Sequence, residues 1–341
     1  MVTPGESSDV RVTETAAQPV RRLEWQLAQV REIVVETYRV KSLVLHVANW
    51  QGHLSGQHVD IRLTAEDGYQ AQRSYSIASP PEDELLTLTV ERVDNGEVSP
   101  YLVDDLRPGD QFELRGPIGG YFVWTAAMGG PLCLIAGGSG VVPLMAMLRH
   151  RDRRKIRAPA SLLYSSRSLD DVIYRAELDA MAHCDSHLRV VNMLTRKQPA
   201  GWMDRRGRID KALLAETCFP PQSWRTSQHF WWNLDMTRSR SRLNASDLQE
   251  TGIMTDNVSD LALEGNAAVT LLQELFTCDI TIAQTQCEAC GSVEGVGSLR
   301  PYAAPMGAVL RCTRCDGVLM RAVHTPHARW LEMRGARYLR Y

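Results

Sequence analysis

The stretch from Pro131 to Leu148, PLCLIAGGSGVVPLMAML, constrains the fold more than any other part of the chain. A continuous apolar run that ends in glycines and passes at once into helical spacing reads as a buried strand turning into a helix. The alternation then repeats. ASLLYSS reads as a second buried strand, DDVIYRAELDAMAHC as an amphipathic helix, LRVVNMLTR as a third strand and RIDKALLAET as a further helix. Alternating strands and helices imply a parallel sheet of α/β type. From Leu23 to about Trp124 the texture differs. REIVVETYRVKSLVLHV, HVDIRLTA, RSYSIAS, LLTLTVERV and DQFELRG alternate or carry β-branched residues, with turn signals EDG, DNG and RPGD between them. Short strands at this spacing predict a small antiparallel barrel.

A chain of 341 residues that is 44% hydrophobic and 23% charged can build two or three cored domains. Its formal charge of −2 gives no electrostatic case for nucleic acid or a membrane surface. No apolar run approaches the roughly 20 residues of a membrane span, and the N-terminus has no apolar signal core. Residues 1–20 read as a loose polar tail, and a cytoplasmic location is expected. No internal repeat is present.

RSYSIAS puts Arg73, Ser74, Tyr75 and Ser76 on one strand. Followed by GEVSPYL (96–102) and GPIGGYF (116–122), it resembles the ferredoxin–NADP reductase family, over residues 23–215. The resemblance implies an FAD site in which Arg73 pairs with the pyrophosphate, Tyr75 lies along the flavin and Ser76 sits near its redox-active N5. A guanidinium fork suits a diphosphate and an aromatic face suits a planar ring. Gly96 and the backbone amides of Val98 and Ser99 are expected to open a helix toward a phosphate; a simple cap by Ser99 is compatible with this. In AGGSGVVPLMAML, Gly137, Gly138 and Gly140 allow close approach of a dinucleotide phosphate, with Pro143 in the first helical turn. Ser166 and Arg167, with Arg175 behind them, are the candidates for the adenosine ribose or its 2′-phosphate; NADP is favoured over NAD only slightly. The implied reaction is hydride transfer from a nicotinamide nucleotide to FAD, then electrons onward to an acceptor the sequence does not name, a redox protein being the candidate class. Tyr75 and Ser76 would stand at the reacting centre.

Beyond residue 216 the family pattern breaks. Cys218 precedes Phe-Pro-Pro where a CGP-type loop should support the nicotinamide, and QHFWWNLDMTRSRSRLNASDLQETG (228–252) shows neither strand alternation nor a helical stripe. Shifting the frame by one base lets residues 227–233 spell Pro-Thr-Phe-Leu-Val-Glu and residues 242–252 spell Thr-Glu-Arg-Phe-Gly-Pro-Thr-Gly, in the family's order. Residues 217–253 are therefore read as an out-of-frame linker, an unusual in-frame linker being the alternative. On this reading the sheet lacks its last central strand and hydride transfer is doubtful. A second reading follows: a flavin-binding but catalytically impaired fusion whose C-terminal module mediates protein contacts.

That module, residues 254–341, begins with an expected helix (DLALEGNAAVTLLQELF) and contains two CxxC pairs, Cys287/Cys290 and Cys312/Cys315. Four thiolates on two knuckles close a tetrahedral zinc site with no open position, hence a structural one. His324 and His327 read as surface residues and Cys278 as buried. The region from Asp260 resembles a small uncharacterised zinc-ribbon family of actinobacterial type; a redox iron centre is the alternative. The expected fold is multidomain: an antiparallel FAD β-barrel (21–125), an incomplete Rossmann-like α/β NAD(P) sheet (126–216), the linker, and a small β-rich zinc ribbon.

Overall fold

The computed structural model describes residues 23–120, 122–207, 209, 213, 216–217, 229–234, 279–304, 307–325 and 328–340. The tail, the helix expected at 260–276, Cys218, Cys278 and most of RIDKALLAET lie outside these residues. No described helix is long and apolar enough to cross a membrane.

Six antiparallel strands form the barrel: β1 (Gln26–Thr37), β2 (Val40–Val47), β3 (His58–Thr64), β4 (Gln70–Ser76), β5 (Leu86–Glu91) and β6 (Gln111–Ile118), in the order β4-β3-β6-β1-β2-β5. A bridge between Ile77 and Leu88 joins the two outer strands and closes the sheet. REIVVETYRVKSLVLHV is two strands, split at a Tyr38–Arg39 turn. Inward positions alternate as the sequence pattern requires; Leu43, Leu45, Val59, Ile61, Leu88 and Leu114 are fully buried in one cluster. Each contributes about 1.5–3 kcal/mol of apolar burial.

The second sheet is parallel, ordered β10-β9-β8-β7-β11, from β7 (Leu132–Gly137), β8 (Ala160–Ser166), β9 (Leu188–Leu194), β10 (Arg205–Arg206) and β11 (His229–Leu234). Helix α1 (Val141–Arg153) connects β7 to β8 and α2 (Arg175–Cys184) connects β8 to β9. Every residue of β7 is buried, as the apolar run demands.

The expectation that residues 217–253 leave the sheet without its last central strand is corrected in part: β11 joins the sheet beside β7, as an edge strand among the described residues. β11, taken from HFWWNL, pairs in register with all of β7, from His229 opposite Leu132 to Leu234 opposite Gly137. A parallel ladder needs only an extended backbone, and aromatic residues favour that state. With β11 in place the strand order reverses at β7. That is the topological switch point at which open α/β sheets bind ligands, beyond the carboxyl ends of their strands.

The C-terminal module has two small antiparallel sheets. One is ordered β13-β12-β18, from β12 (Gln284–Cys287), β13 (Val293–Gly295) and β18 (Ala336–Arg340). The other runs β14-β15-β16-β17, from β14 (Arg300–Ala304), β15 (Gly307–Arg311), β16 (Val318–Thr325) and β17 (Ala328–Glu332).

Candidate functional site

The two flavin motifs, separate in sequence, meet in space. Arg73 on β4 pairs with Glu97 of the GEVS turn at 3.2 Å, and the same carboxylate accepts a 2.7 Å hydrogen bond from Tyr69 Oη. A carboxylate oxygen thus sits on the Arg73 guanidinium, a group whose fork suits anionic oxygens. The turn is tight. A Cβ at Gly96 would lie 3.0 Å from Ser99 Oγ and 3.2 Å from the Val93 carbonyl, and the Gly96 amide donates to that carbonyl. Ser99 does not cap its helix; its hydroxyl accepts from the Val93 amide at 3.0 Å and closes the turn before it. The expected helix is a single wide turn, Tyr101–Asp105, with Val98 fully buried beneath it.

Tyr75 is half-buried, and its burial pushes the phenol well above the ordinary tyrosine range against the opposing pull of Arg73. It is a neutral aromatic surface at physiological pH. Ser74 does not share that face: its hydroxyl donates to buried Asp60 at 2.7 Å, which also accepts from Arg115. The Ser74 side chain is therefore committed inside the barrel wall. Ser76 ends β4 opposite His58.

At the switch point the expected strand–glycine–helix order is present. Gly137 ends β7, Gly138 to Gly140 make one tight turn, and α1 follows with Pro143 in its first turn. Gly138 has φ of 54°, a conformation that suits a residue without Cβ. Tyr164, fully buried near the end of β8, donates its hydroxyl to the Gly138 carbonyl at 3.1 Å and accepts from the Ile173 amide at 3.2 Å. It braces the turn from below, a role no local motif announces.

Of the nucleotide-tail candidates, Ser166 is buried at the end of β8. Arg167 is held by Glu91 at 3.1 Å, with Asp171 4.0 Å away. Its charge is answered before any 2′-phosphate arrives. Arg175 lines a cleft with Val35 and Glu36 of β1, and among the described residues takes no part in that cluster. The Arg167–Glu91 pair also ties the two domains together, beside Tyr174 Oη on Thr89 Oγ1 and Arg149 Nη1 on the Ala78 carbonyl.

The four cysteines converge. Their Sγ atoms all lie within 4.8 Å of one another, with Cys287–Cys315 and Cys290–Cys312 both 3.6 Å apart. Four metal–sulfur bonds of about 2.3 Å require S···S edges of about 3.8 Å, so the cluster fits one tetrahedral ion. The two knuckles repeat the same bonds: the Gly291 amide donates to Cys287 O and the Asp316 amide to Cys312 O. Both of those residues have positive φ. Ser292 Oγ lies 3.2 Å from Cys290 and from Cys312, a hydroxyl placed to donate to the thiolates.

Residues 25–123 match the oxidoreductase FAD-binding domain, residues 134–229 the oxidoreductase NAD-binding domain, and residues 257–341 a family of unknown function, DUF6510. The chain is 36% identical over 156 residues to ferredoxin–NADP reductase B of Sorangium cellulosum, an alignment covering 46% of this chain and 62% of the relative. It is 32% identical over 127 residues to methane monooxygenase component C of Methylosinus trichosporium, covering 37% of this chain and 36% of that protein. The crystal structure of the Amycolatopsis cytochrome P450 reductase GcoB superposes with a TM-score of 0.52 at 27% identity, over 59% of this chain and 61% of that one. The chain thus spans less than two thirds of these relatives. With the barrel, the switch-point glycine turn and the Arg73 fork in place, the chain carries FAD-binding and NAD-binding oxidoreductase domains of ferredoxin–NADP reductase type, followed by a DUF6510 region.

Proposed function

We propose that the chain is an FAD-dependent oxidoreductase that takes reducing equivalents from a nicotinamide nucleotide and delivers them to a separate redox protein. The observation that carries this reading is the convergence of Arg73 with the GEVS turn across from a complete switch point. When bound, FAD supplies the two-electron to one-electron conversion that no side chain can perform. The protein's part is placement. Arg73 and the amides of Val98 and Ser99 hold the diphosphate, neutral Tyr75 packs along the ring, and Ser76 offers a hydroxyl at its reactive edge. Gly137, Gly138 and Gly140 receive the nucleotide phosphates, with Tyr164 fixing the turn.

NADH is the expected donor in preference to NADPH, since a 2′-phosphate at Arg167 would have to displace Glu91. The four cysteines hold a structural zinc ion. A redox-protein acceptor is supported by the relatives named as a monooxygenase component and a cytochrome P450 reductase. The catalytically impaired alternative rests on a missing strand and a missing nicotinamide loop; β11 answers the first ground, and residues 218–228 lie outside the described residues.

The assignment is tested by reconstitution. After gel filtration the chain should carry near-equimolar FAD and zinc, and Arg73→Ala should lose FAD alone. A chain that retains no flavin would refute the reading.

A further inference from the structure

The DUF6510 region is not merely tethered to the reductase. Ser76, His58 and Ile118 stand in register across the adjacent strands β4, β3 and β6. At a strand spacing of about 4.8 Å, Ile118 lies roughly 10 Å from Ser76. The next residue, Gly119, donates its amide to Asp279 Oδ2 at 2.9 Å, across the whole nucleotide domain in sequence. Its carbonyl accepts from Gln57 Nε2 at 2.6 Å, so this residue is tied to the module on one side and to the barrel on the other.

Asp279 is built as a latch. It is 8% exposed, and its other oxygen accepts from the Thr281 amide at 2.9 Å and the Thr281 hydroxyl at 2.6 Å. Three donors surround this buried carboxylate, an arrangement whose hydrogen bonds are charge-assisted. The neighbouring glycine is fitted to the same contact: a Cβ at Gly120 would lie 2.6 Å from Ile282 Cγ2. Between Asp279 and Ile282, Ile280 is fully buried in a cluster that contains Cys287 and Cys312. The segment that grips the barrel loop therefore shares its hydrophobic cluster with two of the four cysteines. Modules of this size draw much of their folding energy from their metal.

We propose that the four-cysteine module is a metal-dependent clamp on the flavin end of the barrel, with Asp279 and Ile282 gripping the Gly119–Gly120 loop, so that the metal state of the module sets how firmly that loop is held. This rests on the reading of the cysteines as a metal site; it does not require that FAD be bound.

The test is amide hydrogen exchange at Gly119–Gly120 in the full-length chain, without added flavin, with zinc content measured alongside. In the zinc-loaded protein the loop should be protected. Chelator-stripped protein should exchange there about tenfold faster, the size expected from loss of one such hydrogen bond. Asp279→Ala should do the same while keeping its zinc. Gly120→Val, which places a side chain where Ile282 sits, should loosen the loop independently and decides the matter if Asp279→Ala also loses zinc. Unchanged loop exchange in the stripped protein, or in a zinc-replete Gly120→Val variant, would overturn the clamp. A chain that never binds zinc would instead overturn the metal reading, and zinc content separates the two failures.

Discussion

Glu97 is expected to weaken FAD binding. Its carboxylate lies 3.2 Å from the Arg73 fork, and the two side chains are 48% and 56% exposed. A diphosphate on that fork would bring two negative charges to roughly 6 Å from the carboxylate, a repulsion of about 1.4 kcal/mol in water. Screening at ~0.1 M salt roughly halves this. Breaking the exposed ion pair adds about 0.5 kcal/mol. Glu97→Gln removes both terms while leaving Tyr69 an amide oxygen to bond, so FAD should bind tighter by about 1 kcal/mol, or about fivefold. The assay is flavin fluorescence quenching on titrating apoprotein with FAD at low and high salt. The gain should shrink as salt rises, and Arg73→Ala should abolish binding in both backgrounds. An unchanged or raised Kd for Glu97→Gln would refute the placement of the diphosphate on Arg73.

Three further outcomes follow from the geometry. Glu91→Gln frees the Arg167 guanidinium and should shift the NADH-to-NADPH ratio of kcat/KM toward NADPH by about threefold to tenfold, the worth of one exposed-to-partly-buried charge contact; steady-state kinetics with both donors decide it. Cys312→Ser removes a fully buried thiol of the four-cysteine cluster and should bring zinc content to background and open residues 279–340 to protease, with the barrel and parallel sheet still resisting; retained zinc would contradict a four-cysteine site. Replacing residues 227–252 by the peptides of the shifted frame should quicken flavin reduction at least tenfold if that segment is out-of-frame text, and an equal rate would identify it as a functional linker.

What could be read from the sequence was what local backbone geometry enforces. The strand–GGSG–helix turn and the RSYS strand need particular residues at particular positions, and both lie where they were expected. The CxxC knuckles were legible for the same reason, their αL positions at Gly291 and Asp316 being set by neighbouring residues. What escaped was long-range. HFWWNL becomes a strand only because β7 offers a backbone edge to it. Glu97 lies inside GEVSPYL, but its grip on Arg73 depends on the barrel closing. Glu91 reaches Arg167 across two domains, and Asp279 reaches Gly119 across three textures of sequence. The hydroxyl of Ser74 was lost to Asp60, a partner set by strand register and not by the motif.

The central claim is that a nicotinamide nucleotide reduces flavin bound by this chain. The direct measurement is an anaerobic titration of the FAD- and zinc-loaded protein with NADH and then NADPH, following oxidised-flavin absorbance. The account predicts rapid bleaching by NADH and slower bleaching by NADPH. Flavin that stays yellow with both nucleotides, yet is bleached by dithionite, would contradict it.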